Sequence, residues 1–257
     1  MNCKAIFFDV DGTLLSFKTH QVSKGTIRAF EELRKRGILT FLATGRPKAL
    51  LPKIPLSFDG YVLMNGGYCF VGDKVLVRHP VDRGDLEVWL RHCRDNGMST
   101  MAFTEDESYV SAVDESCLEI NRQMGIGDCA TRPLEELGEK DVFQFLAIQP
   151  AYRDAETLRM LPHCRMPRWH ELFCDVIPDG ISKAVGIREV VQLLGIPLEE
   201  TMAFGDGQND IEMLELVGTG VAMGNASNEV KRHAKHVTTS VDEEGVMTAL
   251  KSLKVIE

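Results

Sequence analysis

The chain has 257 residues, enough for one large domain or two modest ones, and its 44% hydrophobic content is ordinary for a soluble globular protein. Twenty-nine basic against 38 acidic residues give a net charge of −9, and no Lys/Arg-dense stretch offers a track for a phosphate backbone, so no nucleic acid partner is expected. No run approaches the roughly 18 apolar residues of a membrane span, and an apolar strand stands where a signal peptide would, so no membrane partner and a cytoplasmic location are expected.

The first element is the apolar run Ala5-Ile6-Phe7-Phe8, followed by Asp9-Val10-Asp11-Gly12-Thr13-Leu14-Leu15. Such a run before a glycine turn predicts a buried parallel strand, and open α/β sheets bind ligands at the carboxyl ends of such strands. Asp9 and Asp11 therefore stand at the mouth of a crevice. Carboxylates this close repel unless a proton or a cation intervenes, and Mg²⁺ with its preference for oxygen ligands is the natural relief. A calcium loop would need further oxygen ligands at alternate positions, where Thr13, Leu14 and Leu15 stand instead.

A helix over Lys24 to Arg36 follows, with Ile27, Phe30 and Leu33 on one stripe. Ile38 to Ala43 reads as a second strand, ending in Thr44-Gly45-Arg46 before a helix that Pro47 is suited to start. A third strand, Tyr61 to Met64, ends in Asn65-Gly66-Gly67, and Cys69 to Val71 with Val75 to Val77 reads as a hairpin. Composition changes near Asp82: Leu86, Trp89, Leu90 and Cys93 line a helix, Thr100 to Phe103 and Ser108 to Val113 read as paired strands, and Val142 to Ile148 as another. Arg153 to Leu161 is expected to be helical and Leu172 to Ile177 a strand. The strand and helix alternation then resumes. Ser182 caps a helix bearing Ile187, Val190, Val191 and Leu194, and Thr201 to Phe204 runs into Gly205-Asp206-Gly207-Gln208-Asn209-Asp210. Val221 to Met223 and His236 to Thr238 complete the strands.

This pattern predicts an α/β doubly wound parallel-sheet core in two parts, residues 1–81 and 182–257, interrupted by an α+β insert at 82–181. Seven cysteines, odd in number and without CxxC spacing, suggest neither disulfides nor zinc, and most are expected to be small core residues.

Four polar clusters sit at strand ends or helix starts: Asp9 and Asp11; Thr44-Gly45-Arg46; Lys183; and Asp206 with Asn209 and Asp210. In that order they resemble the four motifs of the haloacid dehalogenase superfamily, and Gly220-Val221-Ala222-Met223-Gly224-Asn225-Ala226 looks like its Cof-type branch. Ala184 stands where a glycine often follows the motif lysine.

The resemblance implies a Mg²⁺-dependent phosphatase acting on a small phosphorylated metabolite, a sugar phosphate foremost, through an aspartyl phosphate. Asp9 is the implied nucleophile and Asp11 the acid and base, with Asp11 contributing to the metal through its carbonyl rather than its side chain. Asp9, Asp11, Asp206 and Asp210 form the implied metal site, with Asp210 either touching the ion or supporting it. Thr44, Gly45, Arg46, Lys183 and Asn209 are the implied phosphate-binding residues. Because only 32 residues separate Asp11 from Thr44, the insert falls between the second and third motifs and is implied to be a C2-type cap, a lid over the crevice. Within it Arg168-Trp169-His170 reads equally as a specificity patch or as a core Trp beside surface charges. The expected state is a monomer or weak homo-oligomer. A phosphomutase of the same superfamily and a catalytically silent metabolite-binding protein are the alternatives. Haloacid dehalogenation needs no second acid at the position of Asp11.

Overall fold

The structure is a computed structural model that describes residues 2–111, 115, 118, 119, 131–168 and 170–257. The far end of the strand expected to reach Val113, together with Cys117, Cys129 and Trp169, lies outside these residues. The chain divides into two compact units. The first comprises Met1–Thr44, Lys53–Val77 and Ser182–Glu257, and the second Gly45–Pro52 and Arg78–Ile181.

The first unit is built on β1 (Ala5–Phe8), β2 (Leu39–Ala43), β3 (Gly60–Leu63), β4 (Tyr68–Val71), β5 (Lys74–Arg78), β12 (Thr201–Gly205), β13 (Thr219–Ala222) and β14 (His236–Val237). Their order among the described residues is β14-β13-β12-β1-β2-β3-β4-β5. From β14 through β3 the neighbours are parallel, and β4 turns back antiparallel on β3. All four residues of β1 are buried, as both faces of a parallel sheet require. Phe7 stacks on Phe41 at 4.7 Å, while Phe8 stacks on Phe204 at 5.2 Å. Successive side chains of one strand thus serve opposite faces of the sheet. The helix Lys24–Lys35 begins where Ser23 accepts a hydrogen bond from the Thr26 N–H and buries Ala29, Phe30 and Leu33.

One expected helix shrinks to a single turn. After Pro47 only Lys48–Leu50 is helical and Leu51 is already extended. Pro52 and Pro55 follow at once, and a proline inside a helix loses a backbone hydrogen bond and clashes with the preceding turn.

The second unit carries β6 (Thr100–Phe103), β7 (Ser108–Val110), β8 (Thr131–Pro133), β9 (Gln144–Ala147), β10 (Cys164–Arg165) and β11 (Cys174–Pro178), ordered β10-β11-β9-β6-β7-β8. All neighbours are antiparallel except β7 and β8. The helix Arg83–Asn96 packs Leu86, Trp89 and Cys93 into a core with Phe145 and Val176. The Trp89 indole stacks on Phe145 at 5.6 Å and donates Nε1–H to Thr100 Oγ1 at 2.9 Å, which satisfies its one polar group. This separate core is what lets an insert of such length fold as its own unit.

Cys69, Cys93, Cys164 and Cys174 are buried and free, and burial pushes the Cys93 thiol up to about 12. They are packing residues rather than nucleophiles. No helix among the described residues is long and apolar enough to cross a membrane.

Candidate active site

Because β12, β1, β2 and β3 run parallel as neighbours, their carboxyl ends open on one edge of the sheet. Asp206, Asp9 and Thr44 directly follow β12, β1 and β2, and Asn65 comes two residues after β3. From β1 the chain continues to one side through β2 and β3 and returns on the other side through β12. The crevice at such a reversal is where open α/β sheets hold ligands, and Asp9 and Asp206 flank it.

Lys183 is delivered to this edge by the first turn of the helix Lys183–Leu194, whose start is fixed by Ser182 accepting the Val185 N–H. That helix lies tight against the turn after β3. A Cβ on Gly66 (φ +95) would collide with the Ser182 carbonyl, so only glycine serves there. The approach buries the Lys183 side chain to 0% exposure, with its ammonium 2.6 Å from Asp9 Oδ1 and 2.6 Å from Asp210 Oδ1. Asp9 Oδ2 accepts no hydrogen bond from the described residues. Lys183 thus orients the Asp9 carboxylate by one oxygen and leaves the other open.

Asp210 is fully committed. Besides Lys183 at Oδ1, its Oδ2 accepts the backbone N–H groups of Asp206 and Gly207, each at 2.9 Å. These bonds fold the loop Asp206–Asp210 around its own last residue. Asp206 is clamped differently. Thr13 Oγ1 donates to its Oδ1 at 3.0 Å, and Asn225 Nδ2 donates to its Oδ2 at 3.0 Å. Asn225 Nδ2 also donates to the Gly12 carbonyl at 2.9 Å, and its Oδ1 accepts the Val241 N–H at 2.9 Å, so the amide is held from both ends. Gly12 (φ +83) has no room for a side chain, since a Cβ there would collide with Asp206 Oδ2.

Carboxylate oxygens of Asp9, Asp206 and Asp210 lie within 4.8 Å of one another. One ammonium faces three acids. Burial pushes the Asp9 carboxyl well above its usual range; Lys183 opposes this, while Asp210, Asp206 and Asp11 reinforce it. Asp206 is pushed from an ordinary 3.8 up to about 7, by burial first and then by Asp210. Burial disfavours the charge on Lys183, but Asp210 and Asp9 outweigh it and hold the ammonium above its ordinary value. An excess of hard, partly dehydrated oxygen donors fits a divalent cation. The Asp9 and Asp206 carboxylates offer oxygens to such an ion, whereas both Asp210 oxygens already accept hydrogen bonds, Oδ1 from Lys183 and Oδ2 from the Asp206 and Gly207 N–H groups.

The structure therefore brings Asp9, Asp206, Asp210 and Lys183 together, with Asp11 among the charges that act on Asp9. Thr44 is buried at the same sheet edge, and its carbonyl accepts the Asn65 N–H at 3.1 Å. Asn209 donates through Nδ2 to Asn65 Oδ1 at 3.1 Å. Gly45 and Arg46 belong to the second unit, where Arg46 Nη1 donates to the Leu50 carbonyl at 3.2 Å. Arg168 is spent inside the second unit. Its guanidinium makes two 2.7 Å bonds to Asp154 and reaches the carbonyls of Gln149, His170, Glu171 and Phe173.

Comparison with known proteins settles the family. A model of haloacid dehalogenase-like hydrolases matches residues 6–250. The chain belongs to the haloacid dehalogenase superfamily. Within it the chain is a Cof-type phosphatase, a phosphoric monoester hydrolase on an α/β core with an inserted cap domain. It is 33% identical to the protein YkrA of Bacillus subtilis (strain 168), over 100% of both chains. To the 5-amino-6-(5-phospho-D-ribitylamino)uracil phosphatase YitU of the same organism it is 29% identical, over 96% of both chains. A solved structure of BT4131, described as a subclass IIB sugar phosphatase, aligns with a TM-score of 0.89 at 38% identity, covering 98% of this chain and 100% of the other.

Proposed function

We propose that this phosphatase hydrolyses small phosphomonoesters, sugar phosphates foremost, with Mg²⁺ bound by Asp9 and Asp206 and through an aspartyl phosphate on Asp9. The observation that carries the reading is the arrangement at Asp9: Lys183 at 2.6 Å on Oδ1, no donor on Oδ2, and Asp206 alongside. Oδ2 attacks phosphorus while the ester P–O bond breaks, and the Asp11 carboxyl gives its proton to the departing alkoxide. In the second half Asp11 takes a proton from water as that water attacks phosphorus. The bond from phosphorus to Asp9 then breaks, releasing phosphate and restoring both acids. Lys183 holds a positive charge beside the reacting carboxylate throughout, and Thr44, Gly45, Arg46 and Asn209 are read as the groups that receive phosphoryl oxygens. When bound, Mg²⁺ supplies the countercharge that lets phosphate approach these carboxylates.

The substrate class rests on two likenesses, to a protein described as a sugar phosphatase and to one named for a phosphorylated ribitylamino-uracil. Residues 82–181, with their own core, are read as the part that selects among such small substrates. A screen of the purified protein on phosphorylated sugars, other phosphometabolites and a folded phosphoprotein, with Mg²⁺ and with excess chelator, tests the whole. Turnover of one or more phosphorylated sugars, absent in chelator and negligible on the phosphoprotein, is the expected result. Full activity in chelator defeats the metal, and preference for the phosphoprotein defeats the substrate class.

The raised carboxyls also predict a pH signature. Without metal the folded protein retains a proton on Asp206 that the unfolded chain gives up near 3.8, so stability from that proton is lost as pH rises through about 7. The metal-free thermal midpoint should therefore fall between about pH 5 and about pH 8. The rise in midpoint on adding Mg²⁺ should be larger at the higher pH, because binding requires the ionised acids. An equal rise at both pH values would show that these carboxyls are not the ligands.

A further inference from the structure

Phe17 is 61% exposed, and its ring stacks on no aromatic ring among the described residues. A single exposed Phe needs no explanation on its own, but this one is held in a fixed place beside the reacting groups. Ser16 Oγ accepts the N–H groups of Lys18 at 3.0 Å and Thr19 at 3.3 Å, and it donates to Asp242 Oδ1 at 2.6 Å. The Ser16 carbonyl accepts the His20 N–H at 2.9 Å. Phe17 therefore lies at the head of a turn whose base is tied to a distant part of the chain.

The ring returns against Gly12. The point where a Cβ of Gly12 would stand lies 2.6 Å from Phe17 Cε2 and is also in collision range of Asp206 Oδ2. The edge of the ring and the carboxylate thus share the pocket of space left by the missing side chain. The Gly12 carbonyl and that same carboxylate are bridged by Asn225, so the ring's support and the acid are parts of one hydrogen-bonded assembly.

We propose that Phe17 is a specificity-determining residue, presenting an exposed aromatic surface to the carbon skeleton of the leaving group. A phosphoryl group next to Asp9 and Asp206 leaves its alcohol projecting from the crevice, and Phe17 is an exposed apolar side chain on the Asp206 side of that mouth. The face of an aromatic ring is electron-rich and attracts the polarised C–H groups that line one side of a sugar, while the hydroxyls stay in water. The ligand class is a phosphorylated sugar or polyol with such a face. This inference rests on the sugar-phosphate reading above.

The test compares Phe17→Ala and Phe17→Trp with the wild type on each phosphorylated sugar it turns over and on acetyl phosphate, whose leaving group has no C–H face to lay on a ring. Covering a few tens of Å² of ring is worth about tenfold in kcat/KM. Phe17→Ala should lose about that factor on the sugars, mainly through KM, and stay within about twofold on acetyl phosphate, while Phe17→Trp retains sugar activity. Equal activity of wild type and Phe17→Ala on every sugar overturns the inference, as does an equal loss on sugars and acetyl phosphate, which marks a purely structural side chain. A wild type that consumes acetyl phosphate but no phosphorylated sugar overturns the substrate reading itself, a result distinct from either.

Discussion

Asp9→Asn should lower turnover by about 10⁴-fold or more and leave no phosphorylated enzyme. The amide keeps the size of the carboxylate and its carbonyl oxygen can still accept from Lys183, so the site should hold its shape while losing its nucleophile. Asp11→Asn separates the roles. It should also turn over poorly, yet with an activated ester such as acetyl phosphate, whose leaving group needs little protonation, it should still accept the phosphoryl group and then fail to release it. Mass spectrometry of the quenched proteins distinguishes these outcomes: a phosphoryl adduct on Asp9 in Asp11→Asn, and none in Asp9→Asn. An adduct on another residue would overturn the assignment. Unfolding cannot mimic the result, because removing one of three clustered negative charges relieves repulsion, and the thermal midpoint of Asp9→Asn should equal or exceed that of the wild type.

Lys183→Met should damage stability as well as activity. Its ammonium is fully buried and bonds Asp9 and Asp210 at 2.6 Å each, so the change strands two carboxylates in a site with little access to water. Breaking a buried ion pair from one side typically costs about 3–5 kcal/mol. For a chain of this size each kcal/mol moves the midpoint by about 2–4 °C, so the shift should be on the order of 10 °C. Its pH dependence identifies the cause. Acids left without a cation take up protons, so the deficit should shrink on acidification, and Mg²⁺ should recover part of it at neutral pH. A variant as stable as the wild type, or one whose deficit ignores both pH and Mg²⁺, would mean that the ammonium does not hold these carboxylates.

The residues at strand ends could be read from the sequence because each announces itself locally. Asp9, Thr44 and Asp206 follow short apolar runs, and Lys183 follows a serine suited to capping a helix. Their meeting at one edge follows from strand and helix alternation, since parallel strands present their carboxyl ends together. Partners contributed by distant turns were not readable in this way. Thr13, Asn65 and Asn225 carry no local pattern that reveals a contact, and the bond between Asn225 and Asp206 joins loops that follow different strands. Asn225 lies inside the run Gly220 to Ala226 that resembles the Cof-type branch, but only the fold shows that its amide holds both Gly12 and Asp206. The failed helix after Pro47 had its contrary signal in view: two further prolines within eight residues outweigh one favourable start.

The position of β1 in the sheet has a consequence for how the protein is made. This strand is made before every other strand of the sheet described here, and it can pair with β2 as soon as residue 43 has followed. Its other edge belongs to β12, which begins at Thr201, after the whole insert has been synthesised. Until β12 has been made, the strand that leads into Asp9 is therefore a bare sheet edge of apolar residues, the kind of edge that pairs with whatever strand it meets. The nascent chain must keep that edge from strangers until its own partner emerges, and the long sequence separation of the pair makes its closure a slow event in folding.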